Sequence, residues 1–167
     1  QTFNTAVGYD AGNAVTTGIQ NTFIGGLAGD ATTTADNNTA VGYLSLSANT
    51  TGHSNIAIGK SSLASNTDGH SNVSVGYLSL ASNTTADFNT GLGHKTLLLN
   101  TTGAANTAVG YHALDANTTA SNNVAVGYEA LSASTTASDN TAVGYSAGLS
   151  VTTGSNNVLI GKQAGQS

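Results

Sequence analysis

"NTAVGYLSLSANTTGHS" runs from Asn38 to Ser54, and at Asn55 its outline begins again as "NIAIGKSSLASNTDGHS". Alone, either copy reads as a polar loop: one Val and two Leu in the first, two Ile and one Leu in the second, among mostly Asn, Thr, Ser, Ala and Gly. The repeat is what decides the fold. The same Asn stands at Asn4, Asn21, Asn38, Asn55, Asn72, Asn89, Asn106, Asn123, Asn140 and Asn157, always 17 residues apart and with no insertion. A fixed short period is the signature of a solenoid or array. With that Asn as position 1, position 5 is always Gly, position 4 is Val, Ile or Leu, and position 13 is Thr wherever the repeat reaches it. Position 14 is Thr except at Asp68, and position 15 is Gly or Ala.

Seventeen residues are too few for the helix pair of an α-solenoid, and the Thr, Asn, Ser and Gly content opposes helix. Positions 2 to 4 are β-prone, and the position 5 Gly turns the chain. Positions 11 to 14, for example Ala48 to Thr51, are expected to form a second short strand before a turn at position 15. Two strands and two turns per repeat predict one coil of a parallel β-solenoid. Ten such coils stacked at ~4.8 Å give a rod about 48 Å long.

Stacking accounts for invariant polar residues. Asn38, Asn55 and Asn72 represent a ladder of side-chain amides, each bonding its neighbour or a turn. Gly42, Gly59 and Gly76 represent a turn that needs positive φ or close backbone approach. The position 4 column, from Val7 through Val75 and Val109 to Ile160, is expected to be buried, so that Asp in place of Val75 or Val109 would break the stack. Position 9 is Leu at Leu46, Leu63, Leu80, Leu97, Leu114 and Leu131, but Gly at Gly12, Gly29, Gly148 and Gly165. Position 12 is polar beside those leucines and mostly Val beside the glycines, which suggests that positions 9 and 12 share one interior space. One or two aliphatics per coil stabilise by roughly 1.5–3 kcal/mol each, against ~1–2 kcal/mol per ordered residue. A lone chain therefore has little margin, and packing of several chains is expected.

Charge excludes several functions. Only 7% of residues are charged, the net charge is −5, and there are three Lys and no Arg. Phosphate-driven nucleic-acid binding is not expected, nor is membrane insertion, because no apolar run approaches 18 residues. Without Cys there are no disulfides or thiolate metal sites. Because the chain begins and ends inside a repeat, a single repetitive segment spanning 1–167 and cut from a longer fibre is expected.

The stretches "NTAVG", "NIAIG", "NVSVG", "NVAVG" and "NVLIG" resemble the head repeats of YadA-like trimeric autotransporter adhesins, and similar repeats occur in phage tail fibres. The resemblance covers the whole chain, with a coil longer than the family's. It implies a left-handed parallel β-roll, a homotrimer with apolar columns packed within and between chains, an extracellular place on a cell surface or virion fibre, and adhesion to a glycan or protein receptor.

No catalytic constellation or cofactor site is expected. Position 16 reads Asp36, His53, His70, Asp87 in successive coils. These residue types can ligate a divalent metal, but the simpler reading, adopted here, is a solvated turn with weak His–Asp pairing; no metal is assigned. The calcium-binding G-G-x-G-x-D pattern is absent. Position 6 is Tyr at Tyr9, Tyr43, Tyr77, Tyr111, Tyr128 and Tyr145. The preferred reading is a ring that covers the turn and holds adjacent coils together; the alternative is a ligand-facing row that stacks on sugars. The rival to an adhesive fibre is ice binding through the Thr ranks at positions 13 and 14, whose adjacency puts them on opposite faces of a strand.

Overall fold

A computed structural model describes residues 3–166. The chain is all-β, and its described residues contain no helix. Ten three-residue strands follow one another: β1 (Thr5–Val7), β2 (Thr22–Ile24), β3 (Thr39–Val41), β4 (Ile56–Ile58), β5 (Val73–Val75), β6 (Thr90–Leu92), β7 (Thr107–Val109), β8 (Val124–Val126), β9 (Thr141–Val143) and β10 (Val158–Ile160). They pair in sequence order as one parallel sheet, and each residue lies opposite its equivalent one repeat away, as in Thr39↔Ile56 and Val41↔Ile58. The chain is thus a parallel β-solenoid of 17-residue coils.

Each coil has one strand. The expected second strand over positions 11 to 14 does not form. The N–H of Asn49 turns back to the carbonyl of Leu46, and that of Asn66 to Leu63, so this wall is a chain of local turns. Within it, position 11 bonds the next coil from Ala14 to Ala116, and position 13 keeps a continuous backbone ladder, as in Thr50 N–H to Thr67 and Thr67 N–H to Thr84. Its hydroxyls donate to the next coil's carbonyl as well, at 3.1 Å for Thr50 and 3.0 Å for Thr101.

The rest of the coil is bent by left-handed residues. Positions 7, 9 and 17 have positive φ throughout, for example Leu44 (57°), Leu46 (53°) and Ser54 (59°). At position 5, Gly76 has φ 136°, and a β-carbon there would fall on the carbonyl group of Gly93 in the next coil. Both reasons for glycine therefore apply: the conformation and the close approach of stacked backbones.

Strand orientation differs from the sequence expectation. Position 3 points inward, with Ala40, Ala57, Ala108 and Ala125 fully buried. Position 4 points outward with position 2: Val7, Ile24, Ile58, Leu92, Val143 and Ile160 are exposed, and Val75 and Val109 are half-buried. A three-residue strand can turn only its central side chain or its two outer ones toward the core. The narrow coil takes the small central residue, because the opposite wall supplies the Leu column Leu46 to Leu131, all at 0% exposure.

The expected sharing of space by positions 9 and 12 is seen at Gly12, where a β-carbon would stand 3.6 Å from Val15, and Val15 and Val151 pack against the core. The nearer partner of a position 9 Gly, not anticipated, is a large residue at position 3. A β-carbon on Gly29 would stand 2.5 Å from the Phe23 ring, and one on Gly12 2.7 Å from it. At the other end, Leu159 meets Gly148 and Gly165 at 3.0 and 2.9 Å in the same sense. The same rule operates once in the middle. Thr96 takes the small-residue position 8, and position 3 of that coil is Gly91, whose β-carbon would lie 2.9 Å from the Thr96 hydroxyl.

Candidate functional site

The expected Asn ladder is present and runs the length of the rod. Each Asn side-chain oxygen accepts the backbone N–H of the equivalent Asn one coil on, at 2.9 Å for Asn38 to Asn55 and 3.0 Å for Asn55 to Asn72. Its amide NH2 donates to the position 15 carbonyl, as Asn38 to Gly52 at 2.9 Å and Asn72 to Ala86 at 2.8 Å. A second ladder, not anticipated from the sequence, joins Asn49, Asn66, Asn83, Asn100 and Asn117 at position 12. Their amides bond the preceding coil's oxygen at 2.7–3.0 Å and share the same position 15 carbonyls. It stops at both ends on smaller polar groups. The hydroxyls of Thr32 and Ser134, and the last free oxygen of Asn117, are buried without a partner in the chain. The signal was visible: position 12 is Asn in five consecutive coils.

These columns are interior and structural. Chemistry toward the outside lies in surface columns, since no enclosed pocket exists among the described residues. At position 16, His70 Nε2 lies 3.1 Å from an Asp87 oxygen, and the His70 N–H donates to the other oxygen at 2.8 Å. The rings of His53 and His70 stack 4.7 Å apart and 5° from parallel, and Phe88 meets His70 edge-on. Asp36 accepts the N–H of Ile19 at 2.7 Å. Of the four, only His70 and Asp87 bond each other through their side chains, and no group of three potential ligands converges on one point among the described residues.

Position 6 builds a longer feature. Tyr77, His94, Tyr111, Tyr128 and Tyr145 form an unbroken row of rings. Their centroids are 5.3, 5.2, 5.1 and 5.2 Å apart, and the last three pairs are within 11° of parallel. Lys60 sits over Tyr77 at 5.9 Å and Lys162 over Tyr145 at 5.8 Å, so an ammonium closes each end. The ring faces are covered by one another, while the edges and hydroxyls remain exposed. Tyr43 stands outside the row, beside Gly26, and Tyr9 is 77% exposed. The phenol of Tyr128 is raised above its ordinary value, chiefly by the charge of Glu129, which keeps its proton on.

The third surface column is the outward strand face of positions 2 and 4, which carries Thr, Val, Ile and Leu and no charge from Thr5 to Ile160. Of the Thr ranks, only position 14 faces fully outward, and Asp68 interrupts it and accepts from the Thr51 hydroxyl. The position 13 hydroxyls are engaged between coils. No family model, no curated protein and no solved structure matches this chain.

Proposed function

We propose that the chain is one strand of a homotrimeric fibre segment that serves attachment at a cell surface or virion, with its β-solenoid as a stiff, non-enzymatic shaft or head. The observation that carries this reading is the outward column at positions 2 and 4. Although the Leu column fills its core, the rod leaves the ten aliphatic side chains of position 4 in one straight, uncharged row that is half-buried to exposed. Isolated exposed aliphatics are ordinary, but a contiguous row marks an interface. A second and third copy with the same pitch meet this row in register. A specific interface needs roughly 800 Å² per partner, and this row runs through all ten strands. The likeness of the "NTAVG" repeats to YadA-like heads and phage fibres supports three as the number of copies. It also supports an extracellular site and a glycan or protein receptor.

The test is mass in solution. A trimer is expected, and Val75→Asp is expected to give a monomer that retains its β-sheet circular dichroism, because a charge at this position costs on the order of several kcal/mol only when a partner covers it. A stable wild-type monomer at micromolar concentration overturns the reading. Thermal hysteresis in that monomer would move the function to ice binding.

A further inference from the structure

All the chain's fixed positive charge lies on one edge. Lys60 and Lys162 occupy position 6 and Lys95 occupies position 7; there is no other Lys or Arg. His94 and His112 occupy the same two positions, and the His112 ring lies 4.2 Å from Tyr111 and 5.7 Å from His94, so position 7 side chains flank the ring row. Most of the acids lie elsewhere. Asp36 and Asp87 are at position 16, Asp68 at position 14 and Asp139 at position 17. From Lys60 to His112 the edge has no acid at positions 6 or 7, and nearby Asp115 is held by His112 at 2.6 Å. Glu129 and, at the far end, Asp10 are the two acids at position 7.

The stack decides what such an edge can bind. Ring faces carry the negative part of the aromatic quadrupole and ring edges the positive part. Here the faces are turned to each other, so the outside presents one ring edge per coil, with phenol groups on Tyr77, Tyr111, Tyr128 and Tyr145, an imidazole at His94 and the Glu129 carboxylate beside Tyr128, between two ammonium groups six coils apart. Sugar or base stacking needs free faces, and those are taken. Apart from Glu129, the row is one of donors with cations at its ends and middle, and it fits an elongated ligand with acceptors at each step of ~4.8 Å and negative charge toward the lysines. An extended β-1,4-linked glycan advances by about one sugar over such a step. With three lysines, the edge lacks the cation density that a nucleic-acid backbone requires.

We propose that the row from Lys60 to Lys162 binds an extended acidic polysaccharide lying along the rod, one sugar per coil. This deepens the attachment reading and rests on it for its biological sense, but not for its chemistry. The row holds its ligand through O–H donors and ammonium groups, without burying ring faces.

The test is titration of the full chain with β-1,4-linked oligomannuronate long enough to span six coils. Cello-oligosaccharide of equal length and single-stranded DNA are the comparison probes. Oligomannuronate is expected to bind, with affinity falling as salt is added. The variant Lys60→Glu/Lys95→Glu is expected to weaken it about tenfold, with solution mass and circular dichroism unchanged. Equal binding of the neutral glycan, tighter binding of DNA, or no effect of the charge reversal overturns the proposal. Absence of oligomannuronate binding by a chain that sediments as a trimer also overturns it, while leaving the fibre reading intact. Binding by a monomer supports the row and removes the trimer.

Discussion

The middle of the rod and its two ends solve the same packing problem with opposite walls. In the six middle coils the core is filled from the turn wall, by the Leu column from Leu46 to Leu131, against Ala, Ser or Gly on the strand. In the end pairs the strand wall fills it. Phe23 reaches over Gly12 and Gly29, and Leu159 over Gly148 and Gly165. Val15 and Val151 pack against the core beside them, and Leu131 also crowds Gly148, so the volume that is kept constant belongs to adjacent coils together rather than to each position. The middle solution has a conformational cost. Its leucines hold φ near 50°, a region that costs roughly 1–2 kcal/mol for a residue with a β-carbon, whereas the end glycines take it freely. Full burial of each Leu offsets that cost.

The largest contrast between the regions is expected from one methyl group. Gly76→Ala places a β-carbon on the Gly93 carbonyl at φ 136°, and neither backbone can retreat without breaking the stack. The middle of the rod should lose cooperative melting altogether. Gly161→Ala meets nothing within 4 Å, so it should lower the melting temperature only by the strain of its φ. Equal damage at the two sites would mean that conformation alone, and not coil-to-coil approach, selects glycine there.

Next in size is exchange of the two core solutions. Phe23→Ala should cost about 3–5 kcal/mol in denaturant melts, as a large core truncation does. Adding Gly29→Leu to that variant should recover part of the loss, although Gly29→Leu alone should destabilise by collision with the ring. Failure of the double variant to exceed Phe23→Ala would break the idea that positions 3 and 9 share volume across the coil.

The smallest effect compares interior polar groups. Asn83→Ala removes bonds to Asn66 and Ala86 and the one received from Asn100; Ala86 keeps its bond from Asn72, but the buried Asn66 oxygen is left unpaired, which should cost about 1–3 kcal/mol. Thr32→Val removes a hydroxyl that has no partner in the chain and should be neutral or stabilising by thermal melt. The two outcomes together would locate the working part of the inner Asn ladder in the middle coils.

Much of this was legible in the sequence, because stacking forces equivalent residues to meet their own kind. The period, the solenoid, the Asn38–Asn55–Asn72 ladder and the crowding at Gly42, Gly59 and Gly76 follow from that alone. Orientation was harder to read. Val at position 4 is larger and more apolar than Ala at position 3, and transfer energy puts it inside; the narrow section of the coil reverses the choice. The clue lay in two rare residues, Phe23 and Leu159, which occur at position 3 only in Gly-type coils. The second strand failed for a different reason. Thr at position 13 is β-prone and does keep its ladder, but the neighbouring Asn N–H closes a local turn, and no propensity scale registers that competition. The tyrosine column is legible too, but not that His94 continues it and that two lysines end it, because these three break the residue identity and not the column.

Each coil carries left-handed backbone at positions 7, 9 and 17, so no coil in isolation would hold its shape; it does so only against a neighbour already shaped. Folding of this chain is therefore templated growth. A few coils must nucleate together, after which each new turn copies the one beneath it, and unwinding begins at an exposed end rather than in the middle. Such a rod can gain or lose whole 17-residue units in the course of evolution without renegotiating its core, provided that Gly-type coils enter and leave in pairs.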